Sequence, residues 1–167
     1  STVVQDDDEK PDKRDVIKEL LAELKGHIGK RGDEDVEAIA VIDKLYQEFP
    51  ESGKKDRAAI VKGLSKCFDV KRQESEDGVP DNKLYMAAAI SLGDMAPESV
   101  KTIAGWIGHK RHRKDDALQR RLILSLGKTE HKDGIKPLTG LLRDKSYMLQ
   151  GAAAEALGMY KSHEQKV

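Results

Sequence analysis

Three ten-residue segments of this chain repeat one pattern, and this repetition constrains the fold more than any other feature. The segments are LYMAAAISLG (84–93), LQRRLILSLG (118–127) and LQGAAAEALG (149–158), and each begins with Leu and ends with Leu-Gly. In the first segment the apolar residues follow the i, i+3, i+4, i+7, i+8 spacing of one helix face, and a second side is nearly as apolar. The pattern predicts helices that are covered on two sides, with Ala side chains that let neighbouring helices lie close together.

The residues around these segments predict where the three helices begin and end. The position three residues before each leading Leu holds a residue type that caps helices by accepting from free backbone N–H groups: Asp81, Asp115 and Ser146. A closing glycine suits a helix end at which φ is positive. We therefore expect such ends at Gly93, Gly127 and Gly158.

A second kind of helix alternates with the first. The segments VKGLSKCF (61–68), VKTIAGWI (100–107) and IKPLTGLL (135–142) place apolar residues at i, i+3 and i+7, and IKELLAEL (17–24) follows the same template. One hairpin of the two helix types cannot bury its own apolar surface, whereas a row of hairpins makes a continuous core. We predict a repeat domain over residues 15–161, with approximate repeats 15–49, 56–94, 97–128 and 132–160, preceded by a flexible charged tail, 1–14, and followed by a polar end, 162–167.

The last of these repeats carries a family resemblance. GIKPLTGLLRD (134–144) followed by DKSYMLQGAAAEALG (144–158) resembles a HEAT repeat, in particular the phycobilisome-lyase type of HEAT-like repeat. The resemblance implies an all-α, right-handed α-α superhelix, a solenoid of about four HEAT-like repeats. Where the family pattern has an Arg that hydrogen-bonds between neighbouring repeats, this chain has Tyr85, Gln119 and Gln150. We therefore expect looser coupling between the repeats.

Composition excludes several functional classes. Basic and acidic residues number 30 each, so the net charge is zero and no global field attracts nucleic acid or an anionic membrane. No apolar run reaches the length of a membrane span, so we expect a soluble protein without membrane insertion, either cytoplasmic or exported after signal removal. The single Cys67 lies among apolar residues at helical spacing, which predicts a small buried hydrophobe more than a reactive thiol.

The chain offers no arrangement typical of catalysis. Its five His residues are scattered, and no phosphate-binding loop, nucleophile elbow or zinc-binding helix motif is present in the sequence. The HEAT resemblance adds no chemistry, because such arrays are chiefly scaffolds and adaptors. We therefore predict a non-enzymatic protein without catalytic residues, cofactors or metal ions.

Two surfaces are candidates for binding a partner. The first consists of residues expected to face away from the main core of the array, Met86, Ile90, Arg120, Leu124 and Glu155, together with Arg121, where the core face begins. An equally open interpretation is that Met86, Ile90 and Leu124 pack against adjacent repeats. Arg121 stands where the other copies have Ala, so we expect its stem to run along the edge of the core or its guanidinium to reach an acidic partner. The second surface is a basic patch of His109, Lys110, Arg111, His112, Arg113 and Lys114. Its simpler interpretation is a solvated turn between helices.

These observations favour a protein–protein interaction or scaffold module with an unidentified protein partner. One alternative is a structural subunit that forms homo-oligomers or filaments by stacking repeats head to tail. Another is binding of nucleic acid or phosphate through residues 109–121, although the neutral net charge argues against nucleic acid. Trp106, the only Trp, is expected to be semi-buried packing more than a binding anchor.

Overall fold

Eight α-helices, with three short 3-10 turns between them, make up the part of the chain that the computed structural model describes, residues 10–160. They are α1 (Asp15–Ile28), α2 (Asp35–Glu48), α3 (Lys54–Lys66), α4 (Lys83–Leu92), α5 (Val100–Trp106), α6 (Asp116–Lys128), α7 (Ile135–Leu141) and α8 (Tyr147–Met159). Over these residues the structure contains no β-strand, only an isolated bridge between Glu74 and Pro80 in the long connection after α3. The predicted all-α class is confirmed.

The chain divides into two compact units, residues 1–72 and 73–167. The first contains α1–α3 and the second α4–α8. The division falls within the predicted repeat 56–94, so the helices of that repeat belong to different units. The boundaries of the four repeats remain predictions.

Apolar faces at helical spacing form the core of the N-terminal unit. Every third or fourth residue of α1 is buried, from Ile17 through Leu20 and Leu24 to Ile28, and α1 packs against both α2 and α3. α2 contributes Ala38, Val41, Ile42 and Leu45, and α3 contributes Ile60, Val61 and Leu64. The free thiol of Cys67 follows α3 and is fully buried, which confirms the predicted role of this residue. Burial raises the pKa of the thiol to about 12, and the nearby carboxylate of Asp35 acts in the same direction.

A buried ion pair closes the N-terminal unit. The guanidinium of Arg72 donates to both carboxylate oxygens of Asp35, from Nε at 2.8 Å and from Nη2 at 2.9 Å, and Nη2 also donates to the carbonyl of Ile28 at 3.0 Å. The side chains of Arg72 and Asp35 are 3% and 0% exposed. This bidentate arrangement fixes the end of the unit against the turn between α1 and α2.

The predicted flexible tail needs correction for residues 10–14, while residues 1–9 lie outside the described part. The carboxylate of Asp12 accepts from the backbone N–H of Lys55 at 2.9 Å and of Asp56 at 2.6 Å, so it caps the first turn of α3. The backbone N–H of Arg14 donates to Asp56 at 3.0 Å, and its guanidinium donates to Glu48 at 3.0 Å. The high charge density of this segment predicted a solvated tail. Instead, Asp12 accepts from two free backbone N–H groups of α3, and Arg14 pairs with Glu48.

The three Leu-to-Leu-Gly helices pack side by side in the C-terminal unit. α6 contacts both α4 and α8, while α5 packs against α6 and α7 against α8. The buried residues of α4 and α6 include Leu84, Ala88, Leu92, Leu118, Leu122 and Leu126. In α8 the buried residues are alanines, Ala152, Ala153 and Ala156. The three repeated segments therefore pack into one core, as the sequence pattern predicted, and α6 lies between α4 and α8.

The predicted helix ends with positive φ at the three closing glycines are wrong, and one of these glycines permits a close helix contact instead. Gly93 has a φ of −60°, and Gly127 and Gly158 lie inside α6 and α8 instead of beyond their ends. At Gly127, a Cβ would stand 2.7 Å from Cα and Cβ of Ala156. The missing side chain thus permits a close approach of α6 and α8. No positive φ is involved.

Two of the three predicted helix caps are confirmed. The side chain of Asp115 accepts from the N–H of Leu118 at 3.1 Å, and that of Ser146 accepts from Leu149 at 3.3 Å. Asp81 is not the cap of α4, because that helix is preceded by Asn82. The amide of Asn82 instead donates to the carboxylate of Asp115, at 3.1 and 3.3 Å.

The expectation of loosely coupled repeats stays a prediction, although hydrogen bonds do connect helices of the C-terminal unit. Gln119 and Gln150 bind backbone of their own hairpins: Gln119 accepts from Gly108 at 2.7 Å and donates to His112, and Gln150 donates to Asp144. Other residues connect neighbouring hairpins instead. Besides the bond from Asn82 to Asp115, the hydroxyl of Ser125 in α6 donates to the carbonyl of Ala89 in α4 at 2.8 Å. Hydrogen bonds therefore connect α4 and α6 without the family's Arg, and the one from Ser125 is buried.

Candidate functional site

A groove crosses three helices of the C-terminal unit and contains most of the predicted partner surface. It has a volume of about 280 Å³ and is lined by Ile90 of α4, by Arg121, Leu124, Ser125 and Lys128 of α6, and by Glu155 and Met159 of α8. We call it the α4–α6–α8 groove. Four of the six residues predicted for a partner surface line it, and a fifth, Arg120, forms an ion pair with Glu155.

The apolar side chains of the groove differ in their solvent exposure. Ile90 is 49% exposed, whereas Leu124 is only 8% exposed. Leu124 therefore belongs to the floor, and Ile90 stands at the surface. Met86, the remaining predicted residue, is half-buried on α4 and is not part of the lining.

Arg121 is the unusual residue of the groove. Its side chain is half-buried, and its Nε is enclosed by protein without any hydrogen-bond partner among residues 10–160. An enclosed N–H group without an acceptor costs about 1–3 kcal/mol, so Arg121 is held in this position at the expense of folding stability. Guanidinium groups bind carboxylates through two parallel hydrogen bonds, which makes a carboxylate the matching ligand group.

The other charged groups of the groove are already paired. Arg120 donates to Glu155 at 3.0 Å, and Nζ of Lys128 lies 3.0 Å from the carboxylate of Asp94. These pairs connect α6 to α8 and to the end of α4. Arg121 therefore provides the uncompensated positive charge at this place.

The lining also includes three residues that the sequence interpretation missed: Ser125, Lys128 and Met159. Each stands four residues after a predicted member, Arg121, Leu124 or Glu155, and therefore lies one helical turn further along the same face. Extension of the predicted surface by one turn would have found all three.

The predicted basic patch does not present six side chains to solvent. His112 is buried, with its ring 4.5 Å from that of Tyr85, and His109 packs against Trp106 at 4.6 Å between ring centroids. The four other members, Lys110, Arg111, Arg113 and Lys114, are exposed. The two histidines anchor the turn to the aromatic residues, and Trp106 is half-buried packing, as the sequence suggested.

Comparison with protein families agrees with this architecture. A family model described as HEAT repeats matches residues 110–166, which include α6, α7 and α8. Residues 110–166 belong to the HEAT-repeat family. No curated protein and no solved structure shows significant similarity to the chain.

The HEAT repeats contain α6 and α8, and thus most of the lining of the α4–α6–α8 groove. HEAT repeats generally mediate protein–protein interactions or act as scaffolds, and the family is typically non-enzymatic. Within residues 10–160, no helix has both the length and the apolarity that crossing a membrane requires.

Proposed function

We propose that this protein is a non-catalytic interaction module that binds a partner protein in the α4–α6–α8 groove. The observation that carries the proposal is the uncompensated positive charge of Arg121, which lines the groove and has no ion-pair partner among residues 10–160. The partner segment places an Asp, a Glu or a terminal carboxylate on Arg121 and an apolar side chain against Ile90 and Leu124. Arg is one of the residue types that are enriched among those that dominate binding energy in protein interfaces.

Selection from a random peptide display library, with the full chain as bait, tests this proposal. We expect the selected peptides to combine a carboxylate with a large apolar residue. Arg121→Ala and Ile90→Asp should each weaken binding of a selected peptide at least about tenfold, which corresponds to loss of one well-buried interfacial contact. Arg143→Ala is the matched control, because Arg143 is an exposed arginine outside the groove lining.

The two variants should retain the fold, because Ile90 is exposed and Arg121 makes no hydrogen bond within the described chain. Their unfolding can be followed by the fluorescence of Trp106, which lies in the same unit. Selected peptides that bind Arg121→Ala as tightly as the native chain would place the interaction elsewhere and refute the proposal.

A specific observation also favours self-association as a second candidate. The last described hairpin, α7 and α8, exposes three large apolar side chains: Ile135 and Leu142 at 42% each, and Tyr147 at 88%. A hairpin that receives the next hairpin of an array has such a surface. Light scattering should then show an average mass that rises with concentration, and Tyr147→Lys combined with Leu142→Lys should restore the monomer. A constant monomer mass up to high concentration excludes this candidate.

A further inference from the structure

The N-terminal unit has a second groove, which the sequence did not indicate. It lies between α1 and α3, has a volume of about 300 Å³, and has an apolar floor that includes Leu21, Ala22 and Ala59. Leu21 and Ala59 are half-buried and Ala22 is exposed, so apolar atoms of all three remain accessible. Opposite Leu21 stands Gly63, whose missing Cβ would lie 2.5 Å from the Leu21 side chain. We call this the α1–α3 groove.

The rim of the α1–α3 groove is positively charged. Lys25 of α1 and Lys62 and Lys66 of α3 line it, and all three are exposed. Among residues 10–160 none of these three ammonium groups has an ion-pair or hydrogen-bond partner. Lys18 stands seven residues before Lys25, two helical turns away on the same face of α1, and extends the charged row. Positive charge is thus concentrated here, although the chain as a whole is neutral.

We propose that the α1–α3 groove is a docking site for an acidic amphipathic helix of another protein. The apolar floor receives one face of that helix, and its Asp and Glu side chains, on both sides of the face, meet the lysine rim. This is the helix-in-groove mode, in which anchors at i, i+3, i+4 and i+7 fill a groove. The volume accommodates a few side chains, and it lies at the low end of the range for pockets that enclose a whole ligand.

The chemistry of the groove favours a peptide over a polyanion. Single-stranded nucleic acid is held by aromatic stacking combined with basic residues, and the lining of the α1–α3 groove contains no aromatic residue and no Arg. An anionic membrane would contact an exposed, flat basic face, whereas here the lysines surround a recess with an apolar floor. A ligand that carries both carboxylates and apolar side chains satisfies both features.

A synthetic peptide of about four helical turns tests the proposal directly. The probe has leucines along one face, glutamates on the remaining positions and a fluorescent label, and its anisotropy is measured with the full chain. A second peptide with lysines in place of the glutamates controls for apolar attraction. We expect the acidic probe to bind and the basic one not to bind, with affinity that falls steeply as salt rises from about 50 to about 300 mM.

Charge-reversal variants locate the binding. The triple variant Lys25→Glu, Lys62→Glu, Lys66→Glu should weaken binding at least about tenfold, because three attractive pairs become repulsive. The matched control reverses three exposed lysines of the same unit that do not line the groove, Lys30, Lys44 and Lys54, and should bind like the native chain after correction for net charge. Equal weakening in both triple variants would overturn the proposal in favour of a general charge effect.

A measurement on the unaltered chain does not depend on whether the variants fold correctly. Zero-length coupling of carboxylates to amines should link the glutamates of the probe to Lys25, Lys62 and Lys66, as mapped by mass spectrometry. Cross-links confined to other lysines overturn the proposal. Stronger binding of a single-stranded oligonucleotide or of anionic vesicles than of the acidic probe also overturns it, in favour of that ligand.

The groove would not be a site for another protein if a part of this protein itself occupied it, and two results would show this. If the probe binds only after removal of residues 1–9, which include Asp6–Glu9, the groove belongs to that segment. If the native chain dimerises and the groove triple variant does not, the groove belongs to a second copy. The experiments on Arg121 concern the other unit, so either proposal can fail while the other survives.

Discussion

Gly127→Ala probes the contact on which the core of the C-terminal unit depends. The added Cβ would stand 2.7 Å from Cα and Cβ of Ala156 and 2.9 Å from its carbonyl oxygen. Carbon atoms in favourable contact are about 3.5–4.0 Å apart, so α8 has to move away from α6 by about 1 Å. Because two of the three obstructing atoms belong to backbone, no change of a side-chain rotamer relieves the clash.

Two opposing effects decide the free energy of unfolding of Gly127→Ala. Overpacking of a close contact costs about 1–3 kcal/mol, and a rigid backbone obstacle places this case in the upper half of that range. Alanine is better than glycine inside a helix by about 1 kcal/mol, and Gly127 lies inside α6. The net expectation is destabilisation by about 1–2 kcal/mol, which lowers the melting temperature of a unit of this size by at least about 4 °C.

Urea and thermal unfolding, followed by Trp106 fluorescence, measure this effect in the C-terminal unit itself. Gly151→Ala is the matched control, because a Cβ at Gly151 meets nothing within 4 Å. This control should stabilise by about 0.5–1 kcal/mol through helix propensity alone. If Gly127→Ala is as stable as Gly151→Ala, α6 and α8 do not approach each other closely at this point, and the role assigned to Gly127 is wrong.

Three further predictions concern other parts of the core. Arg72→Ala should destabilise the N-terminal unit by about 3–5 kcal/mol, because it leaves the buried carboxylate of Asp35 unpaired, and urea denaturation of a variant that also carries Asp35→Leu should show most of the loss recovered. Ala153→Leu should destabilise by about 1–3 kcal/mol through overpacking of a fully buried site, and an unchanged melting temperature would contradict the packing of α8. Cys67 should resist alkylation at pH 8 until the N-terminal unit unfolds. Since its pKa rises to about 12 on folding, the free energy of unfolding should decrease as pH increases above about 9, where the unfolded chain releases the thiol proton.

The helices could be predicted from the sequence because their apolar spacing is a local property. Segments such as 84–93 and 135–142 carry the period of a buried helix face, and the structure has α4 and α7 there. The resemblance to HEAT repeats was drawn from residues 134–158, which lie within the matched residues 110–166. The helix caps were partly predictable, because Asp115 and Ser146 cap helices that begin next to them in the sequence. Asp81 is not a cap, because α4 begins after Asn82.

The features that sequence reasoning missed arise from contacts between distant residues. A glycine that ends a Leu-Gly segment has the same sequence context whether it adopts a positive φ or admits a neighbouring helix, and only the position of Ala156 distinguishes the two at Gly127. The α1–α3 groove depends on packing between residues about forty positions apart, such as Leu21 and Gly63, in the first helices of two consecutive predicted repeats. Arg121 was predictable as a departure from Ala in the aligned copies, although the lack of a partner for its Nε was not.

A net charge of zero conceals two different electrostatic situations. In the α4–α6–α8 groove most charges are neutralised by partners at about 3 Å, and one partly enclosed guanidinium is left over. In the α1–α3 groove three exposed lysines have no partner among residues 10–160. Salt screens exposed charges much more than enclosed ones, so binding at the lysine rim should weaken steeply with ionic strength, while binding at Arg121 should change little. The salt dependence of a ligand's affinity therefore indicates which groove the ligand occupies. If the affinity still falls steeply with salt in the lysine triple variant, the exposed charge responsible does not lie in the α1–α3 groove.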